Sequence, residues 1–87
     1  RVIRAYLGDA PARLAEMRAA SAAGDADALR KAAHSMKSSS ANVGADGLAT
    51  VCKELETIGR GATVEGAKPL IEASFWQLTT MQYLRIQ

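Results

Sequence analysis

Hydrophobic positions recur at alternating steps of four and three residues along most of the chain, which is the period of an amphipathic helix. The first segment carries one such stripe, made of Ile3, Leu7, Ala10, Leu14, Met17 and Ser21. Pro11 lies inside this stripe and removes one backbone hydrogen bond. The pattern therefore predicts a first helix that is kinked near Asp9–Pro11, or split there with a new start capped by Asp9. Gly24 is predicted to end the segment.

Two further helices follow at short intervals. The second is predicted to begin after Asp25, a good N-cap residue, and to run to about Asn42, with Gly44 as its terminator. The third is predicted from about Ala45 to Ile58, with Gly59 as its stop. Its apolar face comprises Leu48, Val51, Cys52, Leu55 and Ile58.

The fourth segment is predicted to run from about Val64 to the end of the chain, with Pro69 near its first turns. Its apolar face is wide and comprises Leu70, Ile71, Phe75, Leu78, Met81, Leu84 and Ile86. Short connections between consecutive helices favour antiparallel neighbours. The pattern therefore predicts an all-α fold in which residues 1–87 form one antiparallel up-down four-helix bundle.

Composition narrows the class of protein. The chain has 87 residues, 48% of them apolar with many alanines, and this favours a single helical domain. With 11 basic and 9 acidic residues and no dense basic block, we expect no nucleic-acid partner. One cysteine excludes an internal disulfide, and no apolar run reaches the roughly 18 residues of a membrane span. We expect a cytoplasmic domain of a longer protein, since the chain begins at Arg1 without a methionine, and the parent could itself be membrane-anchored.

The single histidine, His34, lies on the second predicted helix. The inward stripe of that helix comprises Leu29, Ala32 or Ala33, Met36, Ser39 or Ser40, and Val43. At about 100° per residue, His34 lies about 200° from Met36, so its ring is predicted to face water. The residues expected around the ring are three cations and small side chains, namely Arg30, Lys31, Lys37, Ser38 and Ala41.

A lone histidine of this kind can serve several chemistries. An idle surface histidine remains open. A metal site is not supported, because one histidine and one core cysteine without paired carboxylates do not make a ligand set. A hydrolase triad would need a dry, convergent pocket, which a convex helix face does not offer. A phosphoryl acceptor fits better: nearby cations favour the neutral, nucleophilic ring, and Lys37 can bond phosphoryl oxygens from one turn away.

The stretch "HSMKSSSANVGA", residues 34–45, resembles the signature of histidine phosphotransfer (HPt) domains. In that family the histidine is followed three positions on by lysine, then usually by glycine, by small residues, and by a glycine ten positions after the histidine. His34, Lys37 and Gly44 match this pattern, whereas Ser38 stands where glycine is common. The downstream segment "LATVCKELE", residues 48–56, also resembles the next helix of the family.

The resemblance implies a phosphorelay intermediate. His34 would accept a phosphoryl group, most simply on Nε2, from a phospho-aspartate of a response-regulator receiver domain and pass it to another receiver. Lys37 would offset phosphoryl charge and Ser38 could support it, while Arg30, Lys31 and Ala41 are candidates for contact with the receiver. The receiver would supply the aspartate and Mg²⁺, and the domain itself would bind no cofactor, no metal and no ATP. A bacterial hybrid sensor histidine kinase is the expected parent.

Two alternatives stay open at this point. One is the dimerisation domain of a histidine kinase, which usually follows its histidine with an acidic residue and a nearby proline. "HSMKSSS" has neither. The other is a non-catalytic helical adaptor whose histidine is idle. The phosphotransfer interpretation predicts a monomer in isolation.

Overall fold

The computed structural model describes the backbone of residues 2–86 and the side chains of residues 4–84. Within this range there are four helices: α1 (Val2–Ala23), α2 (Ala26–Asn42), α3 (Asp46–Arg60) and α4 (Ala67–Ile86). Each helix packs against the next one in sequence, and α4 closes the bundle by packing against α1, so that α2 and α4 lie diagonally opposite. The predicted all-α four-helix bundle is confirmed.

Of the two alternatives predicted near Asp9–Pro11, a kinked helix or a split one, the split is wrong, because α1 is continuous from Val2 to Ala23. Pro11 lies inside α1, which packs against α2 and α4, and Ala10 and Leu14 on either side of it are buried in the core. Asp9 does not cap a new helix, because its carboxylate pairs with Arg13 one turn on, at 3.3 Å. Tertiary packing here compensates for the one backbone hydrogen bond that proline removes.

The second and third helices form the tight hairpin that the sequence predicts. Asp25 caps α2 by accepting a hydrogen bond from the backbone N–H of Ala28 at 3.0 Å. At the other end Gly44 adopts a left-handed conformation with φ of 77°. The N–H of Gly44 donates to the carbonyl of Ala41 at 3.1 Å, and that of Ala45 to the carbonyl of Ser40 at 2.8 Å. These bonds close the helix and turn the chain into α3.

The predicted end of the third helix is wrong. Gly59 does not stop α3, which continues to Arg60 and is capped at Gly61. Gly59 is instead buried against α2. A glycine inside a helix is about 1 kcal/mol less favourable than an alanine, and burial of the helix face around Gly59 outweighs that cost.

The fourth helix begins at Ala67, three residues later than predicted, after Gly66 turns the chain with φ of 83°. Pro69 lies in its first turn. Backbone N–H groups there have no partner within the helix, so the N–H that proline lacks costs no hydrogen bond.

Leu84, expected on the apolar face, is 63% exposed. That expectation was therefore wrong. The side chains of Ile3 and Ile86, also assigned to apolar stripes, lie outside the described residues.

The core runs the length of the bundle. It takes large side chains from all four helices and several alanines. Its fully buried members are Leu14, Met17, Leu29, Ala33, Met36, Leu48, Cys52, Leu55, Ala67 and Ile71. Burial raises the pKa of the Cys52 thiol to about 12, so this cysteine is a core residue as predicted. None of the described helices is long and apolar enough to cross a bilayer.

Candidate functional site

The imidazole of His34 projects from α2 into solvent beside α3. Its side chain is 59% exposed, while Met36, on the opposite face of α2, is fully buried. The predicted outward orientation is confirmed, since the position of a residue on an amphipathic helix follows directly from the helical period.

A buried carboxylate lies directly against this ring. Glu56 of α3 has a side chain that is only 4% exposed, and its Oε2 lies 2.9 Å from Nδ1 of His34. Lys37 donates to Oε1 at 2.6 Å, and Arg60 donates to Oε2 at 2.8 Å. One carboxylate therefore joins His34 and Lys37 of α2 to Arg60 of α3.

Glu56 is ionised at neutral pH. The hydrogen bond from Lys37 is the main cause that lowers the pKa of Glu56 to about 2. Burial acts in the opposite direction, and the hydrogen bonds from His34 and Arg60 lower the pKa further.

The charge state of Glu56 decides the tautomer of the histidine. An ionised carboxylate only accepts hydrogen bonds, so Nδ1 of His34 must carry the proton in the bond that joins them. In the neutral ring the free lone pair is then on Nε2, the nitrogen that has no hydrogen-bond partner among the described residues.

Acid is expected to weaken this cluster. Because the pKa of folded Glu56 lies near 2, below its ordinary value of 4.5, the stabilisation is complete above about pH 5 and is lost as the pH falls towards 2. The partners are exposed enough to be screened, so we expect a loss of about 1–2 kcal/mol in the free energy of unfolding. This loss is the difference between the free energies of unfolding measured with urea at about pH 6 and about pH 2.5.

The matched variants for this measurement are Glu56→Gln and Glu54→Gln. Glu56→Gln removes the buried carboxylate, so its free energy of unfolding should fall less in acid than that of the wild type. Glu54 is exposed on the same helix, so its variant should lose stability in acid as the wild type does. Equal acid sensitivity in all three chains would contradict the assignment.

The other residues singled out in the sequence occupy different positions around the ring. Arg30 and Lys31 lie about one turn before His34 on α2, and both pair with Asp27, at 2.8 and 3.2 Å. The sequence did not predict the group in direct contact with the ring, which is the carboxylate of Glu56.

Small residues leave the solvent side of the ring open. Ser38 and Ala41 are exposed on α2, and neither carries bulk that would block an approach to His34. Gly44 ends the helix and takes no part in the described contacts of the ring. Nε2 is thus accessible to a second molecule.

Sequence reasoning missed Glu56 and Arg60 as members of the site. A signal was present, because Glu56 follows Cys52 by one turn and borders the buried stripe of α3. A charged residue beside a buried stripe is rarely left unpaired. The sequence alone, however, does not give the rotation of α3 relative to α2, and so it does not reveal which residue pairs with the carboxylate.

Comparisons with known proteins agree with this geometry. A family model described as the Hpt domain matches residues 1–86. The chain is similar to the crystal structure of histidine-containing phosphotransfer protein B (HptB) from Pseudomonas aeruginosa PAO1, with 40% sequence identity and a TM-score of 0.90. The match covers 95% of this chain and 72% of that chain. No curated protein matches the chain.

Proposed function

Because this chain belongs to the Hpt domain family and serves as a histidine phosphotransfer intermediate in a phosphorelay, we propose that Nε2 of His34 is the atom that carries the phosphoryl group. Domains of this family interact with receiver domains of response regulators. The observation that carries the proposal is the 2.9 Å contact between Nδ1 of His34 and the ionised Glu56. In the neutral ring this contact holds the proton on Nδ1, so that the lone pair is on Nε2.

The reaction begins with the lone pair of Nε2. This nitrogen attacks the phosphorus of the phospho-aspartate in the receiver, so that an N–P bond forms as the P–O bond to the aspartate breaks. The electron pair of the broken bond goes to the aspartate carboxylate. The proton on Nδ1 stays on the ring, which becomes positively charged. Transfer to a second receiver reverses these steps, with an aspartate oxygen as the attacking atom.

Glu56 is proposed to stabilise the ring throughout this cycle. Its negative charge, 2.9 Å from Nδ1, offsets the positive charge that develops on the imidazole as Nε2 is phosphorylated. The same bond holds the ring in one orientation, so little reordering precedes the attack. Glu56 thus acts on the ring as the third member of a catalytic triad acts on its histidine.

Lys37 and Arg60 are proposed to balance the charge of the phosphoryl group. Both donate to Glu56 in the described structure, and both have side chains long enough to turn a donor towards oxygens on the adjacent Nε2. Each phosphoryl oxygen is a strong acceptor for such charged donors. Ser38, exposed one turn from His34, is a further candidate donor.

The receiver is proposed to contact the face of α2 and α3 that surrounds the ring. Small side chains at Ser38 and Ala41 give it access, and Arg30 and Lys31 add positive charge at the edge. The receiver would hold Mg²⁺ and the aspartate. We propose that this domain acts as a monomer and takes its place in a hybrid sensor kinase.

The proposal is tested by incubating the domain with a receiver that carries labelled phospho-aspartate, in the presence of Mg²⁺. We expect label to move to the domain, to be lost in acid and to survive in base, as phosphohistidine does. Label that is stable in acid would place the phosphoryl group on a hydroxyl. No label with any of a panel of receivers would reject the function proposed for His34.

A further inference from the structure

Gly59 brings the backbones of α2 and α3 unusually close together. It is buried in the interior of α3, and a Cβ added there would lie 2.8 Å from the carbonyl oxygen of Ala26. The same Cβ would lie 2.9 Å from both the amide nitrogen and the Cβ of Arg30. Contacts of this kind under 3.0 Å are essentially never seen, so only glycine fits without a shift of the helices.

The two other glycines inside described helices are different. A Cβ at Gly8 in α1 would meet nothing within 4 Å. At Gly47, near the start of α3, it would meet the end of the flexible Gln77 side chain at 2.7 Å, which can move away. Of the three, only Gly59 lies against the backbone of a neighbouring helix.

This close approach lies one turn from the reactive histidine on both helices. On α2, Arg30 precedes His34 by four residues, and on α3, Gly59 follows Glu56 by three. The carboxylate of Glu56 bridges the gap with contacts of 2.9 Å to His34 and 2.6 Å to Lys37. Such bonds weaken quickly as the donor and acceptor move apart.

We propose that Gly59 is a positioning residue, which sets the separation of α2 and α3 at which Glu56 reaches Nδ1 of His34. This role rests on the function proposed for His34. Ordinary van der Waals contact begins at 3.4 Å, so a methyl group at position 59 must push the helices apart by about half an ångström, since close-packed interiors have no spare room. That shift lengthens the distance between Nδ1 of His34 and Oε2 of Glu56 from 2.9 Å to near the longest at which a hydrogen bond forms.

The first measurement is the ¹⁵N NMR spectrum of the His34 ring, whose signals are unambiguous because the chain has one histidine. The wild type should show one protonated nitrogen, Nδ1, and one unprotonated nitrogen, Nε2. In Gly59→Ala the two shifts should move towards each other as the ring exchanges between tautomers. Gly8→Ala introduces the same methyl group into a helix where it meets open space and should keep the wild-type spectrum.

The second measurement is the rate of phosphoryl transfer at saturating receiver. We expect Gly59→Ala to lower this rate about tenfold, the effect of weakening one hydrogen bond to a charged group. The receiver concentration that gives half the maximal rate should not change, because Gly59 is buried and does not meet the partner.

Two results would overturn the role of Gly59. A folded Gly59→Ala chain with wild-type ring signals would show that the separation of the helices does not control the ring. Loss of the fold in this variant would assign the glycine to stability alone. Neither result bears on the acceptor role of His34, because the labelling experiment tests that role separately. The ring spectrum is measured without any receiver.

Discussion

Replacing His34 by glutamine is expected to abolish phosphoryl labelling and to leave the bundle folded. The amide of glutamine has no nucleophilic lone pair on nitrogen, so no N–P bond can form. The fold should survive because the His34 side chain is 59% exposed and glutamine favours helix slightly more than histidine does. Incubation with the labelled receiver measures the first effect. Thermal unfolding measures the second, with an expected change within about 1 kcal/mol, because the glutamine amide can still donate a hydrogen bond to Glu56.

Asn42→Gln is the matched control for this experiment. It introduces the same side chain on the same helix, at an exposed position two turns beyond His34. We expect it to accept the phosphoryl group at the wild-type rate. Acid-labile label that persists in His34→Gln would contradict the assignment, because the chain has no other histidine to carry it.

Replacing Glu56 by alanine is expected to slow transfer by about tenfold to a hundredfold, the range found when the hydrogen-bond partner of a metal-binding histidine is removed. Without the carboxylate, the ring of His34 loses the acceptor that holds the proton on Nδ1. Its tautomers then mix, and the charge that forms on the phosphorylated ring is no longer offset. The measurement is the single-turnover rate from phosphorylated receiver to the domain.

The variant should also weaken the fold. Removing Glu56 leaves Lys37 and Arg60 without their common partner, although the exposure of these side chains, 32% and 64%, lets water replace part of the interaction. We expect a loss of about 1–3 kcal/mol in the free energy of unfolding. Urea denaturation of the wild type and the variant gives this difference.

Glu54→Ala provides the control for both effects. It removes the same kind of side chain from the same helix, at an exposed position that does not contact His34. Transfer and stability should remain close to those of the wild type. If Glu56→Ala transferred phosphoryl groups as fast as Glu54→Ala, the carboxylate at position 56 would have no role in preparing the ring.

Local errors in the sequence interpretation share one origin. The sequence predicts a kink or a split at Pro11 and a helix end at Gly59, yet α1 and α3 continue through these residues. Each residue weakens a helix in isolation, and each lies in a segment that is held in place by packing against its neighbours. Propensity describes the isolated chain, whereas the packed bundle decides where a helix ends. Leu84 is the opposite case, since an apolar residue at the right period remains 63% exposed.

The sequence by itself determined what lies within one helix. The period of α2 set the outward direction of His34, and the spacing of three residues placed Lys37 beside it. Only the tertiary structure decided which side chain meets Nδ1, because Glu56 lies on another helix, 22 residues away. That contact depends on the rotation and separation of α2 and α3, which arise from packing at positions such as Gly59 and follow no local period.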